Sequence, residues 1–214
     1  MVQGTRRVVK VERTGQPEGR GGNAALSIDL ADLAEGLQLG GSVAVNGCCV
    51  TAAAADGSTV RFDLIRETLA TTNLGDLRSG SQVNVERSLR LGDEVGGHLL
   101  SGHVSATVPV VEDCAEPGYR RLTVRIPGFW MRYLSLKGFV ALNGASLTVA
   151  QLDREASTVA VSLIPETLKR TTFGDIHVGD RLNLEVDPQT QAVVETVHAM
   201  LPDLLGAMGA SSTG

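Results

Sequence analysis

Residues 62–77 of the chain read FDLIRETLATTNLGDL, and residues 161–176 read VSLIPETLKRTTFGDI. The two segments are identical at eight of sixteen positions, and Glu166 follows Glu67 by 99 residues (166 − 67 = 99). An identity this high indicates an internal repeat. The copied segment therefore predicts two structural units of one kind within a single chain.

Two further pairs of segments extend the repeat. GSVAVNGCCVT at 41–51 returns as GFVALNGASLT at 138–148, and GSQVNVE at 80–86 returns as GDRLNLE at 179–185. The period of about one hundred residues exceeds the roughly 20–50 residues of solenoid repeats, so each copy is predicted to be a small domain. The predicted units are an N-terminal domain, a C-terminal domain and a terminal segment, at residues 1–97, 98–187 and 188–214.

Composition and charge exclude several classes of protein. The chain has 214 residues, of which 43% are hydrophobic and 20% charged, a balance typical of a folded globular protein. A net charge of −5 and 3% aromatic residues argue against nucleic-acid binding, which uses cationic grooves and stacking rings. No apolar run reaches membrane-spanning length, and the first residues are too charged for a secretory signal. Three cysteines, two of them adjacent, are not a disulfide framework, which predicts a cytoplasmic protein.

Short alternating apolar runs bounded by Gly, Asn and Asp predict β-strands in both copies. Two short segments, LADLAEGL (30–37) and FWMRYLSL (129–136), are predicted to be helical. We predict an all-β fold in which each copy forms six antiparallel strands of Greek-key type. Closure into a barrel is favoured because it removes exposed strand edges. The strand-forming runs are SVAVNG, TVRFDLI and QVNVE in copy one, and FVALNG, SLTVAQL, TVAVSLI and RLNLEV in copy two.

After the second copy, PQTQAVVETVHAMLPDLLGAM predicts a C-terminal α-helix that begins with Pro188 in its first turn. Four apolar residues share one face of it: Val193, Val197, Met200 and Leu204. Such a stripe is consistent with core packing or with an oligomer contact, and both interpretations stay open. Pro202 is predicted to end or kink the helix. The tail at 209–214 is predicted to be disordered.

The two copies differ where functional groups are expected. Cys48 and Cys49 in copy one align with Ala145 and Ser146 in copy two. Asp63 in copy one aligns with Ser162 in copy two. VSATVPVVE, which opens copy two, aligns with VQGTRRVVK near the start of the chain. The preceding LLSGH, which ends at His103, then has no counterpart in copy one except Met1.

Several of these segments closely resemble the riboflavin synthase family, whose members are duplicated lumazine-binding barrels. The resemblance covers the chain from Val2 to about Val197. It implies conversion of two molecules of 6,7-dimethyl-8-ribityllumazine into riboflavin and 5-amino-6-ribitylaminouracil, without a cofactor. Two barrels would then hold two identical substrates, which explains the repeat. The motifs that carry the resemblance are VNGCCVT, FDLIRETLATTNLGDL, GGHLLSGHV, LNGASLTV, SLIPETLKRTTFGDI and LNLEVDPQTQAV.

By this resemblance, four residues are predicted to be catalytic: Ser42, Cys49, His103 and Asp187. The reaction moves a four-carbon unit between two lumazines, so one substrate loses a methyl proton and the other accepts a nucleophile. His103 is the best candidate for proton transfer because histidine titrates near neutral pH. Cys49 is expected either to add to the lumazine ring or to orient a water molecule there.

The resemblance also predicts a set of substrate-binding residues on each copy. The Glu-Thr pairs offer backbone and hydroxyl groups to the pyrimidinedione edge and the ribityl chain. In copy one the predicted residues are Cys49, Val50, Thr51, Asp63, Leu64, Ile65, Arg66, Glu67, Thr68, Gly102, His103 and Val104. In copy two they are Lys137, Ser146, Leu147, Thr148, Ser162, Leu163, Ile164, Pro165, Glu166 and Thr167.

Simpler interpretations compete with these predictions. A cysteine in a strand is most often a small buried hydrophobic residue. His98 and His103 beside two cysteines match no familiar zinc spacing, so no metal site is predicted. A non-catalytic lumazine- or flavin-binding protein of the same double-barrel fold is the alternative function. Because Glu67-Thr68 and Glu166-Thr167 are both kept, the enzyme is preferred.

The resemblance further implies a homotrimer joined through the C-terminal helices, with each site between barrels of neighbouring subunits, and a possible association with lumazine synthase. At the N-terminus, family members open with Met-Phe-Thr-Gly-(Ile/Val) before the segment that here begins at Val2, so Met1 stands at the fifth of those positions. Either the start codon is assigned too late, or part of the pocket is lost. The other matching residues are intact, which favours the first explanation.

Overall fold

The computed structural model describes residues 2–14 and 22–211, with side chains described up to residue 202. The first copy forms a closed barrel in which every strand pairs antiparallel with its neighbours, in the order β1-β2-β5-β4-β3-β6. Closure comes from pairing of β6 with β1. The strands are β1 (Gly4–Thr14), β2 (Asn23–Asp29), β3 (Ser42–Val45), β4 (Cys48–Asp56), β5 (Thr59–Leu64) and β6 (Gln82–Arg87).

The second copy repeats this topology, since its closed barrel has the order β7-β8-β11-β10-β9-β12. The prediction of two tandem six-stranded antiparallel barrels is therefore confirmed. Residues 88–105 connect the barrels, and we call this segment the linker. The strands are β7 (Ala106–Glu116), β8 (Tyr119–Arg125), β9 (Phe139–Leu142), β10 (Ala145–Asp153), β11 (Thr158–Leu163) and β12 (Arg181–Glu185).

Alternation along β4 and β5 separates a core face from an outer face. On β5, Val60, Phe62 and Leu64 are buried, whereas Arg61 and Asp63 are exposed. This period of two is the pattern that the sequence shows, because successive side chains point to opposite sides of a strand. Each barrel therefore has its own apolar core, and its outer face is free to carry polar groups.

The repeated segment that reveals the duplication forms a strand end followed by a short helix. The helices are α1 (Arg66–Thr71) and α2 (Pro165–Arg170), and each is followed by a 3₁₀ turn, at Asn73–Asp76 and Thr172–Asp175. The two other short segments predicted to be helical contain 3₁₀ turns at Ala31–Ala34 and Trp130–Tyr133.

The two barrels meet at the Asn-Gly turns of the repeated VNG and LNG segments. Asn46 and Gly47 have φ angles of 46° and 73°, and Asn143 and Gly144 have φ angles of 44° and 79°. Two consecutive positive φ angles define a type I′ hairpin turn, for which Asn-Gly is the preferred pair. A Cβ atom on Gly47 would lie 2.7 Å from the Cα atom of Gly144, so the barrels contact each other backbone to backbone.

Buried asparagines around this contact hydrogen-bond one barrel to the other with approximate two-fold symmetry. The Nδ2 group of Asn84 donates to the carbonyl of Asn143 (2.9 Å), and that of Asn183 donates to the carbonyl of Asn46 (2.8 Å). The Oδ1 atoms of Asn84 and Asn183 accept from the amides of Thr172 (2.8 Å) and Asn73 (2.7 Å). Satisfied buried amides of this kind fix the relative position of two surfaces because any slip leaves polar groups unpaired.

The network has one asymmetric position. The side chain of Asn73 donates to Oδ1 of Asn143 (3.0 Å) and to the carbonyl of Arg181 (2.9 Å). Its counterpart is Thr172, whose buried Oγ1 atom has no hydrogen-bond partner among the described residues. The Thr172 hydroxyl therefore contributes no hydrogen bond to the network among the described residues.

We expect Asn84→Ala to lower the free energy of unfolding by at least about 2 kcal/mol, because two buried partners lose their hydrogen bonds. Thr172→Val is the matched control, since it removes a buried hydroxyl that no described residue bonds, and it should cost less than about 1 kcal/mol. Urea unfolding of both variants measures the difference. Equal losses would show that the asparagine network does not hold the barrels together.

The C-terminal helix α3 (Pro188–Ser211) packs against the second barrel. Val194 contacts its core, and the hydroxyl of Tyr133 donates to Glu195. The opposite face of α3 leaves Val193, Val197 and Met200 more than half exposed. Of the predicted stripe, the side chain of Leu204 lies outside the described side chains.

The structure contradicts part of each of two predictions about the end of the chain. Pro202 lies within α3, so the helix does not end there. The helix also includes residues 209–211 of the segment predicted to be disordered, and residues 212–214 lie outside the described part of the chain. Proline removes one backbone donor from a helix but does not by itself prevent the helix from continuing. Within the described residues, no helix combines the length and apolarity that spanning a membrane requires.

Candidate active site

The outer face of the first barrel gathers the polar residues that the sequence singles out. Ser42 lies opposite Thr51 and Ala44 lies opposite Cys49 in the pairing of β3 with β4. Cys49 and Thr51 are exposed because they alternate with the buried Cys48 and Val50. Burial raises the pKa of Cys48 to about 11, with smaller contributions from Cys49 and Glu185. Cys48 is therefore a core thiol, and Cys49 is the cysteine that can meet a ligand.

The second barrel presents the equivalent outer face with different groups. Ser146 lies opposite Ala141 and Thr148 lies opposite Phe139 in the pairing of β10 with β9. Thr148 is exposed and Ser146 is half-buried. A hydroxyl therefore takes the place of the Cys49 thiol, so the two faces share a shape but differ in nucleophilic chemistry.

The Glu-Thr segments follow directly after β5 and β11, which end at Leu64 and Leu163. Ile65 and Ile164, the residues just before α1 and α2, are each 58% exposed and lie at equivalent positions. Exposed apolar side chains beside polar ones suit a flat heteroaromatic ligand. The carboxylate of Glu166 pairs with Arg170, and this hydrogen bond lowers its pKa.

Four of the predicted substrate-binding residues belong to the barrel cores. Their side chains are buried, so only their backbone groups can face a ligand. These residues are Val50, Leu64, Leu147 and Leu163. Lys137 is exposed in the turn before β9, where its amide donates to the carbonyl of Val149 (2.9 Å).

The linker crosses the outer face of the first barrel at Cys49. The amide of Cys49 donates to the carbonyl of Gly102 (2.9 Å). Gly102 has a φ angle of 78°, and a Cβ atom there would lie 2.7 Å from the Cβ atom of Cys49. Only glycine permits this approach. His103, the next residue, is exposed beside it.

A buried carboxylate holds this part of the linker. Glu185, the last residue of β12, accepts hydrogen bonds from the amide of Ser101 (2.6 Å), the hydroxyl of Ser101 (2.8 Å) and the amide of Gly102 (3.2 Å). Burial raises the pKa of Glu185, and these hydrogen bonds oppose the increase. The sequence analysis does not identify Glu185 or Ser101 as site residues. The repeated GSQVNVE and GDRLNLE segments, which place a glutamate at equivalent strand ends, are the available signal.

The linker reaches the second barrel through His98. Its Nδ1 atom lies 2.6 Å from Oγ of Ser146, and its ring stacks on Phe139 with centroids 5.1 Å apart. Burial lowers the pKa of His98, against a raising effect of Asp187. His98, like Glu185 and Ser101, is absent from the predicted site.

Asp187, predicted to be catalytic, caps α3. Its carboxylate accepts from the amide (3.0 Å) and hydroxyl (2.6 Å) of Thr190, the pattern of a helix N-cap. Burial acts to raise its pKa, but these hydrogen bonds outweigh burial and the pKa is lowered. The charge of Asp187 acts on His98, so it belongs to the surroundings of the second barrel's outer face.

A cavity of about 350 Å³ lies between the first barrel and the linker. Its volume falls in the range of small-molecule sites. Of the predicted site residues it is lined by Ser42, Cys49 and Gly102, whereas His103 and Asp63 lie outside its lining. Residues that the sequence analysis does not predict complete the lining: Ala44, Gly47, Glu86, Arg87, Ser88, Leu89, Glu94, Val95, Gly96, His98, Leu99, Leu100, Ser101 and Gly144.

Comparison with known proteins agrees with this architecture. The family model described as the lumazine binding domain matches the chain twice, at residues 1–88 and 101–187. Riboflavin synthase of Escherichia coli K12 is 42% identical over 215 aligned positions, which cover 100% of this chain and 97% of that protein. Riboflavin synthase of Chlamydia pneumoniae is 44% identical over 165 positions, which cover 77% and 80% of the two chains.

Among solved structures, LumP complexed with riboflavin superposes with a TM-score of 0.76. The match covers 87% of this chain and 97% of that chain at 21% identity, which shows that the two proteins share a fold. The two matched domains and the full-length relatives agree with the closed barrels described above. The chain therefore belongs to the riboflavin synthase family of proteins with two lumazine-binding domains.

Proposed function

We propose that this protein is a riboflavin synthase that converts two molecules of 6,7-dimethyl-8-ribityllumazine into riboflavin and 5-amino-6-ribitylaminouracil. The observation that carries the proposal is the pair of equivalent outer faces, one with the Cys49 thiol and the other with the Ser146 hydroxyl. The two products together contain all the atoms of two substrate molecules. The reaction therefore balances without an oxidant, a metal or another cofactor.

The residues divide into binding groups and reacting groups. Thr51, Asp63 and the segment 65–68 would bind one lumazine on the first barrel, and Thr148, Ser162 and the segment 164–167 would bind the other on the second. Exposed Ile65 and Ile164 offer apolar contact to the pteridine ring. His103 and Cys49, beside the Gly102 contact, would carry out proton transfer and nucleophilic attack.

The open outer faces favour a site completed by another subunit. Away from the linker contacts, Thr51 and Asp63 on the first barrel and Thr148 and Ser162 on the second are exposed. The helix α3 also exposes Val193, Val197 and Met200 on the side away from its own barrel. A homotrimer joined through α3 would bring the first barrel of one subunit to the second barrel of its neighbour. In the cell we place the protein in the cytoplasm, where association with lumazine synthase would deliver the substrate.

Incubation with 6,7-dimethyl-8-ribityllumazine alone tests the function. One riboflavin should appear for every two lumazines consumed, without added metal or nucleotide. The assay should include the chain as it stands and a form in which Met-Phe-Thr-Gly-Ile, the opening that the resemblance implies, replaces Met1. Tight binding of lumazine by both forms without riboflavin formation would overturn the proposal and favour a lumazine-binding carrier.

Separate substitutions of the equivalent residues Cys49 and Ser146 test whether the two barrels have unequal roles. Cys49→Ser should lower kcat by about 10²-fold, at the lower end of what one positioned catalytic group contributes. Ser146→Ala, the matched change on the second barrel, should weaken binding by roughly 2- to 10-fold, the value of one hydrogen bond, with little change in kcat. Steady-state kinetics separates the two effects. Equal losses of kcat would show that the barrels are catalytically equivalent.

A further inference from the structure

The buried carboxylate of Glu185 is connected to His103 through one hydroxyl group. Glu185 is only 4% exposed. The linker groups that donate hydrogen bonds to its carboxylate belong to Ser101 and Gly102. Oγ of Ser101 lies 3.0 Å from Nδ1 of His103 and also accepts from the backbone amide of His103 (3.3 Å). The proposed mechanism assigns no role to Glu185 or Ser101.

The hydrogen count at Ser101 decides which histidine nitrogen carries the proton. A serine hydroxyl has one hydrogen, and an ionised carboxylate can only accept. Because Ser101 donates that hydrogen to Glu185, its oxygen faces His103 with lone pairs. The Nδ1 atom of His103 must then be the donor, which leaves the lone pair of the neutral imidazole on Nε2.

We propose that Glu185 and Ser101 are positioning residues that hold His103 in its Nδ1–H tautomer, so that Nε2 is the base that removes the methyl proton of the bound lumazine. This inference rests on the proposed function, which makes His103 the proton-transfer group. Nε2 takes the proton, and the electron pair of the broken C–H bond stays on the conjugated substrate. His103 becomes an imidazolium, which returns the proton later in the cycle.

The same connection orients His103 throughout the proton transfer. As Nε2 takes a proton, the Nδ1–H bond to Ser101 becomes charge-assisted, and Ser101 is itself polarised by the anion of Glu185. The exposed position of His103 leaves Nε2 accessible to a ligand. A carboxylate that acts through a hydroxyl thus fixes both the tautomer and the direction of the imidazole.

Nitrogen NMR of the protein labelled with ¹⁵N-histidine measures the tautomer directly. The His103 signal can be assigned by its loss in His103→Ala, since the chain has only 4 histidines. In the wild type, neutral His103 should be protonated on Nδ1. In Ser101→Ala, which lacks the hydroxyl, and in Glu185→Ala, which frees the hydroxyl to donate to Nδ1, it should shift toward the Nε2–H form, which predominates for a free histidine in water. Ser101→Thr, which keeps the hydroxyl, should restore the Nδ1–H form.

Kinetics links the tautomer to the reaction. Ser101→Ala and Glu185→Ala should lower kcat by about 10- to 100-fold, the size of effect that follows when the hydrogen-bond partner of a metal-ligating histidine is removed. KM should change by less than about twofold, because ligand contacts remain. Ser105→Ala is the matched control, because it removes another linker hydroxyl. That hydroxyl accepts a hydrogen bond from the amide of Val186 (3.3 Å). The variant should keep the wild-type kcat.

The outcomes separate this inference from the function on which it rests. Lower kcat with an unchanged His103 tautomer would mean that Glu185 and Ser101 only support the fold, and the inference would be overturned. An altered tautomer with unchanged kcat would also overturn it. If His103→Ala itself retains full turnover, the role of His103 in the proposed function fails, whichever tautomer is observed.

Discussion

His103→Ala is expected to lower kcat for riboflavin formation by about 10²–10⁴-fold, the contribution of a positioned general base. Binding of riboflavin or lumazine should change far less, because the outer faces of β4, β5, β10 and β11 are untouched. The physical reason is that an alanine methyl group cannot take a proton from the substrate, whereas the contacts that orient the ligand remain. Stopped-flow absorbance measures turnover, and fluorescence titration measures binding.

His177→Ala is the matched control for this change. His177 is exposed in the turn before β12, far along the chain from the linker, and the variant should keep wild-type kcat. Comparable losses in both variants would indicate a general effect on stability. A His103→Ala protein with full turnover would remove His103 from the reaction and leave Cys49 as the remaining candidate on the first barrel.

The second large effect is expected from α3. Val197 and Met200 are 56% and 53% exposed on the face away from the barrel. Burying a side chain of this size contributes about 1.5–3 kcal/mol, and an aspartate would oppose that burial with a charge. We therefore expect the double variant Val197→Asp, Met200→Asp to sediment as a monomer, with both barrels intact by circular dichroism. At low protein concentration it should lose most of its turnover, since no neighbour completes the site.

His198→Asp controls for the added charge. His198 is adjacent to Val197 and equally part of α3, but it does not belong to the apolar stripe, so the variant should assemble and turn over normally. Raising the concentration of the double variant should recover part of the activity by mass action. A monomer by sedimentation with full turnover would place both substrates within one chain and refute the shared site.

Much of the fold is readable from the repeats. Alternation in TVRFDL and TVAVSLI determines which residues enter each core, and Asn-Gly in VNGCC and LNGAS determines the hairpin turns, because both are local properties of a strand or a turn. The same alternation leaves Cys49 and Thr51 outside and Cys48 inside in the structure. At Pro202 the helix does not end, although proline locally disfavours its continuation.

Only the tertiary structure decides how the two barrels contact each other and how the linker contacts both barrels. Asn84 and Asn183 are ordinary strand residues in sequence, and become the inter-barrel contact only when two turns 97 residues apart (143 − 46 = 97) are brought together. Glu185 likewise lies 84 residues from Ser101 (185 − 101 = 84), and the burial that makes its hydrogen bonds matter arises from packing. Periodicity encodes which face of a strand is buried. The partner of a buried polar group depends on contacts between distant segments, which no local pattern records.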